Sequence, residues 1–147
     1  MAGNRINHRA VWLLVVVQQL LSFAWYSPYL FGFKWINLAG YRLSAVPPAD
    51  TVAFYKPFLI SICASALVCY GLAVLFKRLN VTCASRGVIL ASGCWIAFSF
   101  SPLFTHNEFA NRPWALTLID AGRDWIIFVS AGLVLAKWRL KAHYETE

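Results

Sequence analysis

The chain has 147 residues, of which 60% are apolar and 13% charged, against roughly 25% charged in an average soluble domain. A chain this short cannot hide so much apolar surface from water, because small folds leave a large share of their surface exposed; this argues against a soluble enzyme or a disordered protein and makes the lipid bilayer the natural solvent. The formal net charge is +7, but no basic stripe or recognition motif accompanies it, so nucleic acid is not an expected partner.

A helix rises about 1.5 Å per residue and needs roughly 20 residues to cross a hydrocarbon core of about 30 Å. The first stretch of that length covers residues 10–31. Arg5 and Arg9 before it, and Ser22-Phe23-Ala24 within it, also fit a cleaved leader. The length of the run and its continuation into Trp25, Tyr26 and Tyr29 favour a retained span. A long loop follows, in which Trp35, Ile36, Leu38 and Ala39 precede Tyr41-Arg42-Leu43 at spacings that predict a short interfacial helix. Pro47-Pro48 stops it, since neither residue donates a backbone hydrogen bond. Asp50 is the expected N-cap, so the next helix starts near Thr51 with Pro57 inside its first turns.

The second span covers residues 57–76 and carries no charge within 57–76, with Ser61, Ser65, Cys69 and Ala73 repeating every four residues. Such a stripe lets backbones approach closely, the usual way membrane helices pack. The third span, 87–105, is also uncharged and repeats Gly93, Ala97 and Ser101 in the same way. Cys63, Cys69, Cys83 and Cys94 show no CxxC spacing, and His8, His106 and His143 are scattered. No metal site, cofactor or catalytic constellation is expected from them. Asn80-Val81-Thr82 matches a glycosylation acceptor but is expected on the cytoplasmic side, where it is unused.

The fourth span, 114–136, carries Asp120, Arg123 and Asp124. A charge near the bilayer centre costs about 2.5–3.5 kcal/mol on insertion scales, so these side chains should face other helices. Their spacing places them near one face, with Asp120–Arg123 as the expected ion pair. Thr117 lies one turn earlier, and Gln18, Gln19 and Ser22 of the first span are the expected partners. Either a buried pair fixing helix register or a site for an ion, proton or polar headgroup would explain the cost.

Backbone groups in lipid must be satisfied within the segment, and the spans lack the alternation of a barrel. The expected fold is therefore all-α, one domain of four transmembrane helices in an antiparallel arrangement. Eight of the thirteen Lys and Arg residues fall on one side (Arg5, Arg9, Lys77, Arg78, Arg86, Lys137, Arg139 and Lys141) and four on the other. The positive-inside rule puts both termini in the cytoplasm. Trp25, Tyr26, Tyr29, Trp35, Tyr55 and Trp114 then form an outer interfacial belt, or else line a ligand pocket, and Trp12 and Trp138 mark the inner interface.

Two segments resemble a known family. Trp25-Tyr26-Ser27-Pro28-Tyr29-Leu30-Phe31-Gly32 with Lys34-Trp35, and Asn111-Arg112-Pro113-Trp114 with Leu118-Ile119-Asp120-Ala121-Gly122, are similar to the small bacterial membrane proteins catalogued as domain of unknown function 1761. The resemblance implies four helices, a long first loop, an inner-membrane location, and Asn or Asp at the place of Asp120. Arg123-Asp124 departs from that pattern. It implies no activity. The expected role is a non-enzymatic packing or binding module, as a homo-oligomer or an accessory subunit in the lipid bilayer. The alternative is a small ion, proton or solute channel or transporter using the charged face; an enzyme acting on lipid comes third, for want of a nucleophile or metal constellation.

Overall fold

The computed structural model describes residues 6–42 and 46–138, and the described chain is all-α, five helices with no strand. Arg5, Leu43, Arg139, Lys141 and His143, which enter the expectations above, lie outside the described residues.

Helix α1 (His8–Trp25) starts at Asn7, whose Oδ1 accepts from the Ala10 N–H at 3.2 Å while its Nδ2 donates to the Trp138 carbonyl at 3.3 Å. It ends at Trp25, earlier than the expected 31. Pro28 has no N–H, and it disfavours helical backbone at Ser27. The chain folds back instead, with the Phe31 N–H on the Trp25 carbonyl at 3.1 Å and the Gly32 N–H on the Ser27 carbonyl at 3.0 Å. A Cβ at Gly32 would lie 2.8 Å from the Ser27 oxygen, so the turn closes this tightly only on glycine.

Helix α2 (Gly32–Ala39) stands where a short helix is expected in the first loop, but it ends on Gly40 at φ +66°, a left-handed stop, before Tyr41 and well short of the expected Pro47-Pro48. It packs back on the last helix. Helix α3 (Val52–Arg78) has Thr51 rather than Asp50 at its N-cap position, without a side-chain bond to the helix; the Thr51 hydroxyl donates back to the Pro48 carbonyl at 2.6 Å. Pro57 lies inside the helix as expected. Helix α4 (Ala84–Phe109) contains one π turn, Ile96–Phe100, just before Pro102. A proline ring presses on the carbonyl four residues back and removes one hydrogen bond; the wider turn accommodates both effects. Helix α5 (Trp114–Lys137) begins after Pro113, close to the expected bounds.

Helix α1 lies against α3 and α5, and α5 lies against α4. Ala10, Val11 and Leu14 meet Cys69, Leu72 and Phe76, with Ala131 and Leu135, in one buried cluster near the end that holds the α3–α4 turn. The closest approach is between Gly87 and Gly132, where an added Cβ on Gly132 would lie 2.8 Å from the Gly87 carbonyl oxygen. The expected α4 stripe is therefore corrected. Gly93, Ala97 and Ser101 are exposed, and nothing lies within 4 Å of a Cβ built on Gly93. The contact is made a turn or two earlier by Gly87 and Ala91.

Two helices are long and apolar enough to cross a membrane: Val52–Arg78, with mean hydropathy 2.4, and Ala84–Phe109, with 1.6. Helices α1 and α5 carry their polar residues mid-helix instead, and these build the opposite end of the molecule.

Candidate functional site

At that opposite end the turn after α1, helix α2 and the first turns of α5 converge on Asp120. The Tyr26 hydroxyl donates to its Oδ1 at 2.6 Å, and the Trp35 indole N–H donates to the same oxygen at 2.8 Å. The Trp25 indole N–H reaches the Ile119 carbonyl at 3.0 Å, and a Cβ on Gly122 would stand 3.2 Å from the Trp25 ring. The two segments that carry the family resemblance are thus one contact. Pro28 ends α1, Gly32 lets the chain reverse, and α2 returns Trp35 to the helix it must touch.

Asp120 is not the partner of Arg123. The guanidinium pairs with its neighbour Asp124, its Nε donating to Oδ1 at 3.0 Å and its Nη2 to the same oxygen. The expected pair does not form: Asp120 Oδ1 takes two neutral donors from outside the helix, and the guanidinium is held by Asp124 and Ser22 instead. Arg123 Nη1 donates to the Ser22 hydroxyl at 3.3 Å, and the guanidinium lies 5.9 Å from the centre of the Tyr26 ring. Asp124 turns towards α4, where the Ser99 hydroxyl donates to its Oδ2 at 3.1 Å.

Of the partners expected on α1, Ser22 reaches the charged group, whereas the two glutamines turn to the α3 stripe. Gln19 donates to Ser65 at 3.0 Å and accepts from Ser61 at 3.1 Å. Gln18, fully buried, points its amide nitrogen at Cys69 Sγ and at the Ile127 carbonyl. Ala73 joins the buried cluster. Thr117 is buried but accepts from Asn107 at 2.9 Å and does not touch the charged group. Among the aromatics, Tyr29 and Trp114 are exposed as the belt reading needs, but Tyr26 and Trp35 are half-buried on Asp120. Ser99 went unnoticed in the sequence, where its only signal is a hydroxyl in an otherwise apolar stretch.

A cavity of about 530 Å³ opens beside this network, lined by Gln19, Ser22 and Arg123 on its polar side and by the rings of Phe23, Tyr26, Trp35, Tyr41 and Phe58 elsewhere. Arg123 is the charged residue in its wall, with 28% of its side-chain surface uncovered. Among the described residues neither Asp120 nor Asp124 lines the cavity. The cavity can therefore offer N–H donors and ring faces to a small molecule; among the described residues no group of His, Cys, Asp and Glu is placed to hold a metal.

Neither a curated protein nor a solved structure matches the chain. A family model does match, over residues 9–136, which includes both motif segments and every element of the site, and the chain therefore belongs to the family described as Protein of unknown function (DUF1761).

Proposed function

We propose that this protein is a small integral membrane protein in which α1, α3, α4 and α5 each cross the bilayer, and that it works as a non-enzymatic binding module, as a homo-oligomer or as a subunit of a larger membrane assembly. The observation that carries the reading is the cavity beside Arg123, a concave, mostly aromatic space with a few convergent polar groups. The outward apolar surface of α3 and α4 supports the location. Only 17% and 11% of their most apolar windows are buried, the reverse of core helices in a water-soluble fold. Charge asymmetry supports cytoplasmic termini, and the resemblance supports a bacterial inner membrane.

The topology has a direct test in Cys83, an exposed thiol in the α3–α4 turn. Hydrogen bonds from the Ser85 hydroxyl and from the Arg86 and Ser85 backbone hold it below the usual thiol range, which favours the reactive thiolate. With Cys63 changed to alanine, a membrane-impermeant maleimide should label Cys83 in inverted vesicles and leave it unmodified in intact cells. Adding Cys83→Ala and Thr51→Cys should reverse the pattern. Labelling of Cys83 from outside the cell would contradict the proposed orientation.

One observation favours a second reading, an ion or proton pathway: among the described residues Asp120 is held by neutral donors, without a salt-bridge partner. Purified protein in liposomes decides between them. The binding module passes no protons under an imposed potential. A pathway passes them and loses the flux on Asp120→Asn.

A further inference from the structure

We infer that the cavity takes an uncharged, lipid-soluble molecule with a flat ring bearing carbonyl oxygens, a quinone-like head on an apolar tail; this rests on the binding reading above. The wall chemistry selects the head. Arg123 is a donor without acceptor capacity, and three of its donor contacts are taken, two by Asp124 and one by Ser22. A guanidinium has five N–H groups, so two remain, on a side chain that lines the cavity and is 28% uncovered. Gln19 is already engaged with Ser61 and Ser65. The unmet demand in this wall is for a hydrogen-bond acceptor.

Charge decides which acceptor. Asp120, Arg123 and Asp124 together carry a formal charge of −1. A ligand carboxylate would add a second uncompensated negative charge where water is scarce, and like charges there repel strongly. A cation finds no carboxylate among the described residues of the wall; Asp120 Oδ1 is taken by Tyr26 and Trp35 and Asp124 Oδ2 by Ser99. A carbonyl oxygen accepts from the guanidinium without adding charge. The rest of the wall selects a ring. Phe23 and Phe58 stack at 5.7 Å, while Tyr26 and Trp35 meet edge-on at 5.3 Å with Tyr41 beyond them. The volume lies in the range of roughly 300–1,000 Å³ common to small-molecule sites.

The test uses full-length protein in vesicles of ether-linked phosphatidylcholine, which carry no competing ester carbonyls. A ligand that binds the folded state raises the unfolding temperature with its concentration, so the midpoint gives apparent affinities for decyl-1,4-benzoquinone, decylbenzene and decanoate. The quinone should bind at least tenfold more tightly than either of the others. Arg123→Lys should remove most of that advantage, and Ile36→Trp, which enlarges a residue that α2 contributes to the cavity wall, should weaken the quinone and decylbenzene alike. If Arg123→Lys does not fold, the three probes on the natural chain and on Ile36→Trp still decide. Equal affinity for quinone and decylbenzene overturns the carbonyl head and leaves the binding reading standing. Tightest binding of decanoate overturns it in favour of an anion, and quinone binding that Ile36→Trp leaves unchanged overturns the location. No shift with any probe overturns both this inference and the binding reading.

Discussion

Gly132→Ala should destabilise the protein by about 3 kcal/mol, the upper end of what overpacking a tight contact costs, although alanine is the better helix former. The added methyl would sit 2.8 Å from the Gly87 carbonyl oxygen and 3.0 Å from the Ala91 Cβ. The first of these is backbone, so relief requires α4 and α5 to separate, and that loosens contacts along both helices. Gly93→Ala is the matched control. It lies on the same α4 helix with nothing within 4 Å of its built Cβ, so it should be neutral or stabilise by up to about 1 kcal/mol through helix propensity. Thermal unfolding of the two variants in one detergent should give opposite signs. A Gly132→Ala protein as stable as the natural chain would mean that the close approach of α4 and α5 is not formed in solution.

The glycines show which parts of the fold could be read in the sequence. A small residue every fourth position announces that a helix can be approached closely, and the Ser61–Ala73 stripe of α3 does receive α1. The same signal on α4 marked Gly93, Ala97 and Ser101, whereas the contact lies at Gly87 and Ala91. Spacing gives a face only modulo the helical repeat, and which face is used depends on where the partner crosses. The start of the last helix was legible, just after Pro113, whereas the end of α2 was not: Pro47-Pro48 marks where helix is forbidden, but Gly40 ends it a turn or two sooner by taking the left-handed conformation. The early end of α1 came from Pro28 acting within a run that hydropathy alone reads as continuous.

The site was half legible, for a similar reason. Three charges in one apolar helix announce a group that must be satisfied, and Ser22 does answer Arg123. Tyr26 and Trp35 looked interfacial because an aromatic ring with a polar tip suits a headgroup region. The tip suits a buried carboxylate equally well, and only the chain reversal through Ser27–Gly32 distinguishes the two. The i,i+3 rule named Asp120 as the partner of Arg123 because it counts residues on one helix and ignores donors arriving from another. With Tyr26 and Trp35 on Asp120 Oδ1, the arginine is found on its immediate neighbour instead.

That reassignment yields the second large effect. Arg123→Leu should cost about 2–3 kcal/mol, below the roughly 3–5 kcal/mol of a fully buried pair because about a quarter of each side chain is uncovered; Asp124 would keep its charge with Ser99 as its remaining hydrogen-bond donor among the described residues. Removing both charges with Arg123→Leu and Asp124→Leu should restore much of the loss, since replacing a buried pair by apolar residues is often neutral. Arg123→Leu combined with Asp120→Leu should give no such rescue: it leaves Asp124 stranded and also deprives Tyr26 and Trp35 of their acceptor. Asp120→Asn alone should be the mildest, because an amide oxygen still accepts from at least one of the two donors. Unfolding measured on all four variants in the same lipid sets the two pairings against each other. Rescue by the Asp120 double and not by the Asp124 double would show that Arg123 answers Asp120 in the membrane. The cavity wall would then carry its charges in a different order, and the acceptor preference assigned to it would lose its basis.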